Sequence, residues 1–277
     1  MAGTLYLVGT PIGNLGDFSP RAVETLEKVD FIAAEDTRVT LKLLSHFGIK
    51  KELVSYHEHN QRQRGPQILE RLQNGESCAL CSDAGMPCIS DPGEELVRLC
   101  AEHGIPVQSV PGPTAAMTAL ALSGLSVGRF TFEGFLSVKK GSREEHLASL
   151  KEEPRTMVFY EAPHKLPSTL KDLLRVLGDR KIALCRELTK VYEEVHRTTL
   201  AQAVAYYEEH PPRGEFVLVV EGAPPKKESQ VSRKEALALV QQLCGEGMSL
   251  SAAAREAARR TGHPKGELYR AALEEEE

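Results

Sequence analysis

Short apolar runs recur along the chain, each bounded by Gly, Pro, Asp or Asn, and between them apolar residues return every three or four positions. Runs of that length between turn residues read as strands, and the intervening pattern as helices. TLYLVG (4–9), FIAAED (31–36), SCALCSD (77–83) and PVQSVPG (106–112) are the strands of a first half. Helices are predicted over 20–29, 40–47, 66–73, 94–103 and 114–123. Near 125–129 the register changes, and FTFEGF (130–135), TMVFYEA (156–162), KIALCRE (181–187) and GEFVLVVEG (214–222) form a second strand set, with helices near 143–151, 165–177 and 200–209. This alternation predicts an α/β protein with largely parallel pairing. It divides into two α/β domains, 1–125 and 126–224. Beyond them PPKKESQ (224–230) reads as a linker, and SRKE (232–235) has capping-box spacing. Ser249 can cap a second helix ending at Gly262, and Pro264 can open a third over 264–273. Residues 225–277 therefore comprise a linker and a small helical, helix-turn-helix-like domain.

The loops after the strands are unusual. TPIGN (10–14), AEDTR (34–38), SDAGMPCISDPG (82–93) and PGPTAA (111–116) all fall at carboxyl ends of strands, where open parallel sheets bind ligands. One such loop alone reads as a tight turn; four in one half point to a site. Glycines at 9, 13 and 16 give G-x3-G-x2-G, which is not the G-x-G-x-x-G of a dinucleotide cradle.

Charge and composition narrow the classes. A net charge of −5 excludes a chain that coats nucleic acid through bulk positive charge and leaves room for local basic patches. No run reaches the roughly 18 apolar residues of a membrane span, and the first residues lack the basic flank of a signal peptide. A cytoplasmic setting is expected. Cys78 and Cys81 have CxxC spacing without a second pair to complete a zinc site, and they read as buried thiols. His57-Glu58-His59, taken as extended, puts both histidines on one side, but no third ligand has suitable spacing, so no metal is expected.

In this order, VGTPIGN, AAEDTR, SYHEHN, SDAGMPCISDPG, PGPTAA, FEGF, VFYEAPH and CRELTK resemble the ribosomal RNA small subunit methyltransferase I family, within the tetrapyrrole methylase superfamily of S-adenosylmethionine enzymes. The resemblance covers residues 4 to about 222, and the tail is similar to the family's small helical domain. It implies 2′-O-methylation of cytidine 1402 in 16S rRNA of the small ribosomal subunit, a cofactor cleft between the two α/β domains, and a homodimer. By the same carry-over, Gly9, Pro11, Asp83, Ala84, Gly85, Ile89, Thr114, Ala115, Tyr160, Glu161 and Leu188 would bind S-adenosylmethionine. Thr10 stands where the tetrapyrrole-modifying relatives carry glycine before the proline, and Asn14 where they carry an acid, which favours the RNA enzyme.

Candidate proton acceptors are Glu35, Asp36, His57, His59, Glu161 and His164. Glu35, Asp36 and Arg38 are the first choice, since a carboxylate beside an arginine can hold and orient a hydroxyl. Asp36 can equally be the cap of the following helix, and His164 a helix-start residue. For RNA, Lys139, Lys140 and Arg143 sit in SVKKGSR, read as a flexible loop: a phosphate contact or a solvated loop. From the linker lysines on, setting aside the four terminal Glu, nine Lys plus Arg stand against five Glu. Arg255, Arg259 and Arg260 lead this set, with Arg255 and Arg259 on one helix face. That face is an RNA clamp or a solvated bundle surface.

Overall fold

The computed structural model describes residues 2–224 and 232–274, in two compact units, Met1–Gly222 and Ala223–Glu277. In the first unit β1 (Leu5–Val8), β2 (Phe31–Ala34), β3 (Glu52–Ser55), β4 (Cys78–Cys81) and β5 (Val107–Val110) make a fully parallel sheet ordered β3-β2-β4-β1-β5. All four residues of β2 and of β4 are buried, because helices cover both faces of the sheet. On one face α3 (Gln61–Gln73) and α4 (Glu94–Glu102) bring Ile68, Leu72, Leu96 and Cys100 onto Leu5, Phe31 and Cys78. On the other, α1 (Pro20–Lys28) and α2 (Thr37–His46) bring Leu26 and Leu44 onto Ile32, Ala79 and Cys81. Each such leucine contributes about 1.5–3 kcal/mol by leaving water. Cys78 and Cys81 thus lie on opposite faces of the sheet, and burial pushes the Cys81 thiol up to about 12 and raises Cys78 likewise. Their spacing holds no shared ligand.

The second sheet departs from the expected parallel pairing. β6 (Phe130–Phe135), β7 (Thr156–Glu161), β8 (Lys181–Arg186), β9 (Glu194–Thr199) and β10 (Phe216–Val220) run in the order β6-β7-β10-β8-β9. Only β6 and β7 are parallel; β10 is antiparallel to both neighbours, and β9 to β8. One face packs on α6 (Lys140–Ser149), α7 (Leu166–Leu177) and α8 (Leu200–Glu209). The other face carries Val158, Ala183, Val217 and Val219 onto Ala116, Ala119 and Leu120 of α5 (Ala115–Leu122). Because α5 follows β5, a helix of the first sheet is the floor of the second. Its small residues, AAMTALAL, permit that close approach.

Other boundaries shift for local reasons. α2 starts at Thr37, since Asp36 caps it, and α3 starts at Gln61, with Pro66 inside the helix. SVKKGSR is not a loop throughout: Lys140 is the first residue of α6. Residues 58–60 form a turn, so the extended reading of His57-Glu58-His59 fails, although the two rings still lie 6.0 Å apart.

The second unit is α9 (Arg233–Gly245), α10 (Leu250–Thr261) and α11 (Lys265–Glu274), packed through Ala236, Val240, Ala254, Ala257, Leu268 and Ala271. The capping box is complete: the Glu235 amide donates to Ser232 Oγ (3.2 Å) and the Ser232 amide to Glu235 Oε2 (2.8 Å). Gly262 ends α10 in the left-handed region, whereas Ser249 makes no side-chain cap bond. Residues 225–230 of the predicted linker lie outside the described residues.

Candidate active site

Sheet order decides which loops meet. The segment after β4 lies between the end of β2 on one side and that of β1 on the other, with β5 beyond. It spans the ends of both neighbours, which accounts for its length.

On the β1 side, Thr10 and Gly85 exchange both backbone hydrogen bonds (2.9 and 3.1 Å), and Thr10 Oγ1 donates to the Ser82 carbonyl (3.2 Å). Gly9 and Gly112 lie back to back: a Cβ on Gly9 would fall 2.7 Å from Gly112 Cα, and one on Gly112 2.8 Å from the Gly9 oxygen. Asp83 and Ala84 are exposed beside this ladder. The second sheet closes the cleft. Tyr160 Oη accepts from the Ala116 amide (3.3 Å) in the first turn of α5, and its ring packs against Phe132 and Phe135. Leu188 is buried in the same apolar cluster as Ala116, against Ile12, Ala115 and Tyr160. Its loop is strained: Glu187 (φ 50°) and β-branched Thr189 (φ 66°) hold left-handed backbone, and such strain concentrates at functional sites. A cleft of about 420 Å³ lined by Asp17, Pro111, Gly112, Pro113, Thr118 and Thr189 opens here.

Gly9, Gly85, Ala115, Tyr160 and Leu188 are therefore brought together. Thr114 precedes α5 as its N-terminal boundary, Pro11 joins the ladder to Ile12, and Ile89 is 54% exposed farther along the same loop. A glycine-tight wall, backbone left open at Asp83–Ala84 and an apolar face suit a ligand with ribose, amino-acid and adenine parts. Glu161 is the exception. Successive residues of a strand face opposite ways, so with Tyr160 toward the cleft, Glu161 points into the α7 layer. There it is buried and accepts from Thr169 Oγ1 and the Ala162 amide. Its carboxylate is unavailable as a cleft ligand or base. His164 lies exposed in the turn before α7.

On the β2 side the carboxylates interlock. The Asp83 amide donates to Glu35 Oε2 (3.2 Å) and the Asp36 amide to Asp83 Oδ1 (3.0 Å). Asp36 caps α2 through the Arg38 amide (2.8 Å) and pairs with the Arg38 guanidinium (2.6 Å), which holds its carboxyl down at about 2. An acid that strong is a poor proton acceptor, so capping is the better account of Asp36. Burial raises Glu35 and Asp83. Asp91, at the end of the same loop, is pushed up to about 6 by burial and then by the Glu35 charge. Sequence reading passes over Asp91; its one signal is the second Asp of SDAGMPCISDPG, set before a proline. Among the described residues, no group of three or more His, Cys, Asp or Glu is placed to hold a metal ion.

The basic candidates separate. Lys139 and Lys140 are exposed. Arg143 turns inward: its side chain is 13% exposed, with Nε 2.8 Å from Asp172 and a second nitrogen 3.0 Å from Thr169 Oγ1. A guanidinium committed in this way is structural rather than a phosphate contact. Arg143→Ala is expected to cost about 1–2 kcal/mol of stability through the lost Asp172 and Thr169 bonds, since half-buried Asp172 keeps Arg175 (3.2 Å), read as a lower melting temperature. The salt dependence of RNA binding should stay as in the parent; a shallower slope would restore Arg143 as a phosphate contact. In the second unit Arg255 is exposed, while Arg259 and Arg260 both pair with Glu256 (2.6 and 2.7 Å).

Comparisons with known proteins follow the same division. Residues 4–204 match the family model described as Tetrapyrrole (Corrin/Porphyrin) Methylases, and residues 230–276 the one described as RsmI C-terminal HTH domain. The Ribosomal RNA small subunit methyltransferase I of Synechocystis sp. is 50% identical over 273 residues, covering 98% of this chain and 98% of its own. The protein of the same name from Halalkalibacterium halodurans is 48% identical over 270 residues, 96% of this chain and 93% of its own. Among solved structures, Uroporphyrin-III C-methyl transferase from Thermus thermophilus complexed with S-adenyl homocysteine superposes with a TM-score of 0.56 at 21% identity, over 78% of this chain and 97% of its own. That last likeness is one of fold.

Proposed function

The chain belongs to the ribosomal RNA small subunit methyltransferase I family of tetrapyrrole methylases, and from that premise we propose that it methylates the 2′-oxygen of cytidine 1402 in 16S rRNA with S-adenosylmethionine. The observation that carries this reading is the match along almost the whole chain, tail included, to rRNA enzymes; the porphyrin enzyme matches 78% of it. When bound, S-adenosylmethionine supplies an electrophilic methyl group. The protein's part is to hold and align. The Gly9–Gly112 contact and the Thr10–Gly85 ladder fix the first wall, the Asp83–Ala84 backbone and the Asp83 carboxylate offer polar contacts, and Tyr160 and Leu188 give the apolar side. Alignment of a hydroxyl with the methyl group supplies much of such a rate. Glu35, with Arg38 fixing Asp36 beside it, orients the ribose.

Lys139 and Lys140 on the first unit, and Arg255 with Arg259 and Arg260 on the second, are read as phosphate contacts, supported by exposure and charge. A homodimer is adopted as the working form on the family resemblance. No helix among the described residues is long and apolar enough to cross a membrane, and an rRNA substrate supports a cytoplasmic setting.

The test is direct. Incubated with labelled S-adenosylmethionine and either unmodified small ribosomal subunits or uroporphyrinogen, the protein should label rRNA and leave the porphyrinogen bare. Label in the porphyrinogen, with none in rRNA, overturns the reading.

A further inference from the structure

We infer that the cavity on the β2 side of the cofactor wall seats the target ribose, and that the Asp91 carboxylate accepts the proton of its 2′-hydroxyl; the inference rests on the methyl-transfer reading above. The cavity measures about 680 Å³, and Glu35, Ser90, Asp91, Arg62 and Arg98 are among its lining residues. That is within the roughly 300–1,000 Å³ of pockets that enclose small molecules. Its lining carries both carboxylates and guanidinium groups. Arg62 has no ion-pair partner among the described residues, whereas Arg98 pairs with Glu95 and Glu102.

Among the described carboxylates of the strand-end loops, Asp91 alone makes no bond to a backbone amide or a guanidinium; its partner is the Ser82 hydroxyl. Asp36 is neutralised by Arg38, Glu161 faces the α7 layer, and Glu35 and Asp83 each commit an oxygen to a backbone amide of the other loop. Asp91 also adjoins the cofactor wall: its charge reaches the Tyr160 phenol, and neighbouring Ser90 Oγ lies 3.5 Å from where a Gly134 Cβ would stand on β6. The groups around it are Glu35 just after β2, Glu58 before α3, Asp83 and Cys88 from its own loop, Arg62 from α3, Glu94, Glu95 and Arg98 from α4, and Tyr160 from β7. Burial and the Glu35 and Asp83 charges all oppose ionisation, with a Ser82 hydrogen bond the other way. The result is an acceptor poised near neutrality, the range in which general bases work best.

In the step, O2′ forms a bond to the methyl carbon while the carbon–sulfur bond breaks and leaves its electron pair on sulfur. The O2′ proton passes to Asp91, which ends as a neutral acid, and the sulfonium charge is discharged as a thioether. The base must be ionised, so the single-turnover rate on small subunits should rise through about pH 6 and level above it. Asp91→Asn should bind S-adenosylmethionine with unchanged calorimetric affinity, lose at least about 100-fold in single-turnover rate, and lose the acid limb. Asp91→Glu should recover part of the rate with a displaced limb. A wild-type rate in Asp91→Asn, or an acid limb that survives in it, overturns the assignment while leaving methyl transfer to rRNA intact; a wild type that never labels rRNA instead sinks the parent reading. Arg62→Ala gives an independent measure of the seat and does not depend on Asp91 variants folding. It should raise KM for subunits with kcat kept, and an unchanged KM removes the cavity from the substrate path.

Discussion

Gly9→Ala is expected to weaken S-adenosylmethionine binding at least about 100-fold, roughly 2.7 kcal/mol. The reason is space. The added Cβ would lie 2.7 Å from Gly112 Cα, from the Gly112 nitrogen and from Met86 Sδ. The methionine can swing away, but the Gly112 backbone is held by its place at the end of β5. The ends of β1 and β5 must therefore part, and Thr10, one residue on, carries the displacement into its ladder with Gly85. Gly141→Ala is the control, with nothing within 4 Å of the added carbon, and it should bind normally. Calorimetric titration of both variants, with melting temperatures to confirm folding, decides the matter. Parent affinity in a folded Gly9→Ala protein would remove this glycine pair from the cofactor wall.

In the sequence that close approach is legible only as a loop rich in Gly and Pro. β2 and β4 are easy to find because both faces of a parallel sheet are covered, leaving unbroken runs such as FIAA and CALC. β3 (ELVS) and β9 (EVHRTT) escape sequence reading because neither carries a single buried residue, so neither shows an apolar run. Strand direction is the larger error. FVLVV reads alike in either direction, and nothing in a buried run says that β10 enters antiparallel between β7 and β8.

The site follows the same logic. Loop composition locates the carboxyl edge, but the face of a side chain is a property of pairing. Within TMVFYEA every position before Glu161 but the first is apolar, so no alternation reveals that Tyr160 and Glu161 part company. Arg143 stands beside two exposed lysines and groups with them by sequence. Its partner Asp172 is 29 residues away, beyond any local signal. Nothing in the sequence marks Asp91, because its raised pKa comes from burial and from Glu35, in the loop after another strand.

Ending the chain after Pro225 should leave cofactor affinity intact and weaken binding to small ribosomal subunits, with a shallower dependence on salt. The residues removed form a compact unit with their own capping box and apolar core, so the catalytic unit keeps its packing. Between Ser232 and Glu274 seven Lys and Arg stand against five Glu, a positive excess on a protein of net charge −5. The excess is not uniformly available. Glu256 holds both Arg259 and Arg260, whereas exposed Arg255, one turn earlier on α10, has no acid partner among the described residues. Each phosphate that goes unneutralised should flatten the slope of log affinity against log salt by about 0.9 on duplex or about 0.7 on single strands. Three such phosphates would then flatten it by about 2–3 and, at low salt, cost affinity by orders of magnitude. A tail that serves only to stabilise the protein gives a different pair of readings: a lower melting temperature with the slope and the subunit affinity of the full chain. That pair would refute an RNA-binding tail, because a helix bundle that touches phosphates cannot be removed without changing the number of counterions released.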